Sequence, residues 1–256
     1  MRLYSHFCAW LRRIRRTKSL QPFFYPYYRI KATLEIRRLR APLDPFFSSA
    51  KGVIHIGANN GGEILFYAQH KLPVLWIEAN PEIFPRLLAN LRGIPRQVAL
   101  LGLVGSQRKE NVEFHVSNNH GASSSVYLFD QHKSIWPDVD FVKKIYLPQV
   151  TLPQLLDEAG ISFKSYDTLV MDVQGAELQI LKGIPDLSEK FEKVQLEACN
   201  FPAYRGAPMK EELDAYLQEK GFKLVSAQVF AMGKNGERSM DCRYLRSSLN
   251  LSGQSR

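Results

Sequence analysis

Three cysteines in 256 residues, Cys8, Cys199 and Cys242, are too few and too scattered for a disulfide framework or a CxxC metal pattern. A reducing, cytoplasmic setting is expected. No run of about 18 apolar residues occurs, so no spanning helix is expected. Arg12, Arg13, Arg15 and Arg16 break up the apolar residues near the start, and a cleavable signal is not expected either. The chain has no GxGxxG, which disfavours an NAD-type pyrophosphate turn and with it a nucleotide-sugar enzyme such as a short dehydrogenase or glycosyltransferase. No Lys-Ser/Thr pair follows its glycines, so there is no Walker loop for ATP or GTP. HxxxH is missing, and no metal is expected.

Positive charge is concentrated in one segment. Residues 1–40 hold eleven of the 34 Lys and Arg and a single acid, Glu35, leaving 23 bases against 24 acids elsewhere. The net charge of +9 therefore belongs to an arm, and the body is close to neutral. A nucleic-acid enzyme spreads its positive field over the active-site face, so no nucleic-acid partner is expected. In the arm, Leu3, Phe7, Trp10, Leu11 and Ile14 follow helical spacing over residues 1–20, and Phe23, Phe24, Tyr25, Tyr27 and Tyr28 surround two prolines. Such a basic, aromatic segment suits peripheral contact with an anionic membrane on its cytoplasmic face. Packing on the body and contact with a partner subunit are the alternatives. The expected division is an arm over 1–45, one α/β domain over 46–248 and a frayed tail over 249–256.

What is present is most informative from Gly52 to Glu78. The apolar run Val53, Ile54, Ile56 meets the turn Gly57-Ala58-Asn59-Asn60-Gly61-Gly62; an amphipathic segment follows, and a second apolar run stops at Glu78. Glycines at a strand-to-helix turn let a ligand approach the backbone. An acid about 20 residues on, at the end of the next strand, can accept from both hydroxyls of a ribose. Together they predict a nucleoside-containing cofactor across the carboxyl ends of two parallel strands.

Further along, strand and helix patterns alternate as in a doubly wound parallel sheet. Strands are expected near 52–56, 74–78, 97–103, 168–172 and 193–198, with helices near 152–159, 176–182 and 209–220. An irregular excursion over 104–150 holds a strand near 111–116 and ends in the strand-like IYLPQV. A closing pair near 222–229 and 237–245 is joined by Gly233-Lys234-Asn235-Gly236.

Three segments end at the same edge as the glycine turn. In TLVMDVQGAELQIL an apolar strand ends at Asp172, which faces the crevice or caps a helix. Glu177, in a first helical turn, reads as support for the helix dipole. In KVQLEACN, Glu197 and Asn200 leave the next strand and are candidates for contact with substrate, or for capping a loop. The third, HVSNNHGASSSVYLFDQH, is dense in hydroxyls, amides and histidines, including His115, His120, Ser123, Ser124, Ser125 and His132. A loop of that length inside a compact domain is expected to cover the cofactor or line the acceptor pocket.

The ordered set IHIGANNG (54–61), WIEANPE (76–82), ASSS (122–125), VTLPQLL (150–156), MDVQGAELQILKG (171–183), EACNFPAYRGAP and ELDAYLQEKGF resembles the FkbM family of S-adenosylmethionine-dependent methyltransferases over roughly residues 50–228. The resemblance implies the class I methyltransferase fold: a Rossmann-like, seven-stranded, mostly parallel sheet with helices on both faces and a closing antiparallel pair. It implies S-adenosylmethionine as cofactor and methyl transfer to an oxygen, commonly a hydroxyl on a sugar, glycan or glycosylated small molecule. On this resemblance Glu78 binds the ribose, and Gly57, Ala58, Asn59 and Gly61 shape the turn around the methionine moiety. Asn80, Ser124 and Asp172 complete the cofactor site, and Ser125, Glu197 and Asn200 face the acceptor. Asp172 is the first candidate for the base, with His120 and His115 in reserve.

One position departs from the family. An acid usually precedes Val-Gly-Ala-Asn, and His55 stands there instead. An imidazole supplies no carboxylate for the cofactor's ammonium. Either Glu63 takes over, or binding is weaker or differently arranged, or His55 is only a strand-end histidine. The rival readings are a scaffold that keeps the fold around a decayed site, and a methyltransferase acting on a non-sugar acceptor.

Overall fold

A computed structural model describes residues 43–249. The arm's expected helix and aromatic cluster, and the tail beyond Leu249, lie outside the described residues.

The strands are β1 (Val53–Ile56), β2 (Val74–Glu78), β3 (Gln97–Leu101), β4 (Leu103–Val104), β5 (Lys109–Ser117), β6 (Phe141–Val150), β7 (Thr168–Met171), β8 (Lys193–Cys199), β9 (Phe222–Met232) and β10 (Arg238–Arg246). Seven of them form one sheet in the order β3-β2-β1-β7-β8-β10-β9, in which only β10 runs against its neighbours. This is the class I methyltransferase topology that the sequence implies. β1, β2 and β7 are buried along their whole length, which explains their continuous apolar runs.

The helices are α1 (Pro45–Ser48), α2 (Ile64–Gln69), α3 (Phe84–Leu91), α4 (Leu152–Glu158), α5 (Glu177–Lys182), α6 (Leu187–Lys190) and α7 (Lys210–Glu219). Alternation along the strands divides the core. Ile54, Ile56, Ile77 and Met171 face α4, α5 and α7, whereas Val53, Trp76 and Val170 face α1, α2 and α3. α4 starts where Thr151 and Gln154 form a reciprocal capping box and Pro153 occupies the first turn.

Three expectations need correction. The strand expected over 97–103 is broken at Gly102: β3 stays in the main sheet, while β4 joins β6 and β5 in a second sheet of order β4-β6-β5. The excursion is therefore more regular than expected: the strand-like IYLPQV is the second half of β6, whose first half, with exposed Val142, Lys143 and Lys144, carries no apolar alternation. The helix α3 has no counterpart in the sequence reading.

Candidate active site

Register brings the strand ends to one level. Ile56 pairs with Ile77 on one side and Met171 on the other, and Met171 pairs with Leu196. The next residues, Glu78, Gly57, Asp172 and Glu197, therefore stand side by side at or near the carboxyl ends of four neighbouring strands. The crevice lies where the connections diverge, from β1 to β2 on one side and to β7 on the other, which is the switch point of an open parallel sheet. It encloses about 750 Å³, counting its open mouth.

Gly57 has φ +84°, and a Cβ there would lie 1.9 Å from the Asp172 carbonyl oxygen. Only glycine lets this turn lie against the end of β7. Asn59, at φ +47°, donates its backbone N–H to Glu78 Oε2 at 2.7 Å and its side-chain amide to the His120 carbonyl at 3.1 Å. The Asn80 N–H donates to Glu78 Oε1, also at 2.7 Å. A carboxylate has about four acceptor sites, so each Glu78 oxygen keeps one for a ligand hydroxyl. Burial pushes the Glu78 carboxyl up, and the backbone donors of Asn80 and Asn59 oppose that rise.

The lining has a marked charge pattern. Glu63, Glu78 and Asp172 line the cleft, and among the described residues that line it there is no Lys, Arg or His. Leu103, Phe114, Val126 and Ile180 supply an apolar wall.

The expected site residues separate into two groups. Gly57, Ala58, Asn59, Glu63, Glu78, Ser124 and Asp172 line the cleft. Gly61, at φ +77°, shapes the turn from behind it, and Asn80 is buried, holding Glu78 and accepting from the Glu82 N–H at 2.9 Å. His120 sits exposed at the rim, next to the lining residue Gly121.

Five residues are turned elsewhere. His55 points to the opposite face from Ile56. Its ring stacks on Trp76 at 5.1 Å, its Nδ1 pairs with the Tyr67 hydroxyl at 3.1 Å, and burial lowers its pKa, so it is a neutral packing group outside the lining. Ser125 is buried and donates to the Gln174 carbonyl at 2.7 Å. Asn200 bridges the Arg238 N–H and the Gly236 carbonyl, away from the cleft. Glu197 stands behind the lining, beside Asp172. His115, held in reserve as a base, is buried against Phe141 and Glu113 in the second sheet.

Sequence reasoning overlooked Gln174 and Tyr204. Gln174 lines the cleft at φ +56°, with its amide nitrogen 2.5 Å from Asp172 Oδ1 and its amide oxygen accepting from the Tyr204 hydroxyl at 2.6 Å. A polar residue between an acid and a glycine reads as a turn, which concealed it. The Tyr-x-x-x-Lys spacings at Tyr67–Lys71 and Tyr216–Lys220, the pattern a short dehydrogenase would use, lie outside the cleft lining. Among the described residues no group of three or more His, Cys, Asp or Glu is placed to hold a metal, and no helix is long and apolar enough to cross a membrane.

The sequence profile described as the Methyltransferase FkbM domain matches residues 55–224, about two thirds of the chain. The chain belongs to the FkbM methyltransferase family. The methyltransferase is also 27% identical over 194 residues to the 2-O-methyltransferase NoeI of Sinorhizobium fredii, a match covering 72% of this chain and 76% of NoeI. Among solved structures it is similar to magnesium protoporphyrin IX methyltransferase from Synechocystis PCC 6803 with bound S-adenosylhomocysteine (TM-score 0.46, 12% identity, 95% of this chain and 94% of that one). Fibrillarin from Aeropyrum pernix with bound S-adenosylmethionine matches at TM-score 0.38 and 10% identity, over 84% of this chain and 74% of that one.

S-adenosylmethionine, the methyl donor of the FkbM family, is the cofactor, and the cleft meets its chemistry. The donor carries a sulfonium and an ammonium, which three carboxylates and no base favour. A phosphate-bearing nucleotide would face the same carboxylates unpaired. Spare acceptor capacity on Glu78 suits ribose hydroxyls, and the apolar wall suits a purine.

Proposed function

We propose that this methyltransferase transfers a methyl group to an oxygen, the hydroxyl of a sugar, glycan or glycosylated small molecule. One observation carries the donor side of the reading: among the described residues, the cleft at the switch point is lined by Glu63, Glu78 and Asp172 and by no Lys, Arg or His. The relative NoeI, a 2-O-methyltransferase, supports oxygen as the acceptor atom.

When bound, S-adenosylmethionine supplies an electrophilic methyl group on sulfur. The chain's own residues have three tasks. Glu78 grips the ribose through its two free acceptor positions, and the Gly57–Asn59 turn with Glu63 fits the methionine end. Asp172 orients the acceptor hydroxyl and takes its proton, a role worth roughly 10²–10⁴-fold in rate. Gly121, Ala122 and Ser124, on the loop after β5, cover the cleft and restrict water.

Two measurements test this. Calorimetry with S-adenosylhomocysteine is expected to show binding. Incubation with methyl-labelled S-adenosylmethionine and a panel of carbohydrate and non-carbohydrate acceptors is expected to place the label on a sugar oxygen. Label on nitrogen or carbon would overturn the oxygen assignment, and label on a non-sugar hydroxyl would overturn the sugar.

A further inference from the structure

Gln174 ties the two acids at the ends of β7 and β8 to one tyrosine. The Tyr204 hydroxyl donates to Gln174 Oε1 at 2.6 Å, while Gln174 Nε2 faces Asp172 Oδ1 at 2.5 Å and Glu197 Oε2 at 3.3 Å. Chemistry fixes which way the amide lies. Tyr204 is buried beside Glu197, Asp172 and Glu177, and burial with those charges holds its phenol proton in place. A phenol can donate to the amide or to the Ser123 carbonyl, so the carboxyl side decides. An ionised carboxyl only accepts, the amide nitrogen therefore faces Asp172 and Glu197, and the amide oxygen is left to accept from Tyr204. Gln174 also sits in the left-handed region at φ +56°, and its own carbonyl accepts from Ser125 Oγ at 2.7 Å. A non-glycine residue holds that conformation when its surroundings over-determine it, and strain of this kind gathers at functional sites.

One amide between two carboxyl groups forces a choice, because two acids that close do not both ionise. Glu197 has a further acid directly opposite, since β8–β10 register pairs it with Asp241. Asp172 lines the cleft and Glu197 does not. Burial, then the charges of Asp172 and Asp241, push the Glu197 carboxyl well up.

Resting on the methyltransferase reading, we propose that Gln174 is a positioning residue: its amide holds Asp172 as the charged, cleft-facing member of a pair in which Glu197 keeps the proton. The acceptor hydroxyl then has one destination for its proton. The proton goes to the Asp172 carboxylate, and the O–H electron pair stays on the acceptor oxygen. The titratable groups facing the pair are Asp241 on β10, Glu177 on α5, Glu78 on β2, His55 on β1, and Cys199 and Tyr204. None of them is a permanent cation, so the Gln174 amide is the donor that favours charge on Asp172.

Gln174→Met tests this, since methionine has similar length and the same backbone limits but no donor. The cofactor-free protein is examined by infrared spectroscopy at pH 7. Glu177, whose carboxyl burial pushes up to about 7, contributes a C=O stretch of its own at this pH. Glu197 is therefore read from the difference: Glu197→Gln is expected to remove part of the protonated-carboxyl band of the wild type. In Gln174→Met, S-adenosylhomocysteine affinity is expected to stay within about 3-fold and turnover to fall about 10²-fold. The Glu197 part of the band is expected to change in frequency, because both carboxyl groups have lost the amide that stood between them. An unchanged band in Gln174→Met with intact cofactor binding overturns the proposal, as does a Glu197→Gln spectrum identical to that of the wild type. If Gln174→Met does not fold, Gln174→Asn carries the same readouts, since asparagine tolerates the left-handed region and its amide is one methylene short. A wild type that shows the Glu197-dependent band but binds no S-adenosylhomocysteine keeps the carboxyl pair and removes the methyltransferase reading.

Discussion

The backbone N–H of Asn59 is aimed at Glu78: it donates to Oε2 at 2.7 Å, across the gap between the first and second parallel strands. The glycine turn and the acid that follows it are therefore one unit, in which the turn orients the carboxylate and the carboxylate fixes the turn. Glu78→Ala removes both the ribose acceptors and the partner of two backbone donors. Calorimetry is expected to show S-adenosylhomocysteine affinity lower by at least about 10²-fold, since hydrogen bonds to a charged group are worth roughly 1.5–3 kcal/mol each. Wild-type affinity in this variant would take Glu78 out of the cofactor site.

At Gly57 the constraint is steric as well as conformational. Gly57→Ala sets a methyl group 1.9 Å from the Asp172 carbonyl oxygen at φ +84°, so β1 and β7 have to separate at their ends. The left-handed conformation alone costs roughly 1–2 kcal/mol. Gly206→Ala is the control: φ is +72° there, and nothing lies within 4 Å of the added Cβ. Thermal unfolding is expected to drop by about 2–4 °C per kcal/mol in both variants, and clearly further for Gly57→Ala. Equal shifts would mean that the turn has room to give.

Much of this site was legible because strand ends are marked by composition. The apolar runs stop at Gly57, Glu78 and Asp172, and parallel register then places those residues together. His55 was a harder case. It adjoins the turn in sequence, but a strand's side chains alternate, and one position from Ile56 is enough to turn its ring away towards Trp76. Ser125 and Asn200 carry the right chemistry in the right segments, yet their polar atoms are engaged by Gln174 and by the β9–β10 turn. Gln174 and Tyr204 left no signal, because neither residue type implies a role without the partners that folding provides. The second sheet was legible only in part: IYLPQV (145–150) reads as strand-like, but the first half of β6 carries lysines where a buried strand would carry apolar residues.

Glu177 gives the fold a pH dependence. It is buried in the first turn of α5, accepts from the Val173 N–H at 3.2 Å, and burial pushes its carboxyl up to about 7. Unfolded, a glutamate titrates near 4.5, so between these values the folded state binds the extra proton. Stability is therefore full below about 4.5 and is lost as pH rises towards 7, by an amount on the order of 3 kcal/mol. Glu177→Gln keeps an acceptor for Val173 and cannot ionise. In denaturant unfolding it is expected to be more stable than wild type at pH 8, with the difference closing towards pH 5. Glu78 and Glu197 titrate in the same sense in both proteins and largely cancel in that comparison. A difference independent of pH would mean that Glu177 ionises freely in the fold.

His132 acts with the opposite sign. Its ring stacks on Phe129 at 4.2 Å, Nε2 pairs with Ser123 Oγ at 3.2 Å, and Nδ1 is buried with no hydrogen-bond partner. Burial, with the charge of Lys133 adding to it, lowers its pKa to about 4 from the usual 6.5. Between those values the unfolded chain binds the proton and the folded one does not, so the stabilisation is full above about 6.5 and is lost as pH falls towards 4. The loss is on the order of 1–3 kcal/mol. His132→Phe keeps the aromatic stack, gives up one hydrogen bond and has no proton to gain. Unfolding at pH 7 and at pH 4.5 is expected to show a smaller loss in the variant than in wild type. Equal losses would mean that the imidazole takes up its proton without leaving the fold, and that the acid sensitivity arises among the carboxyl groups.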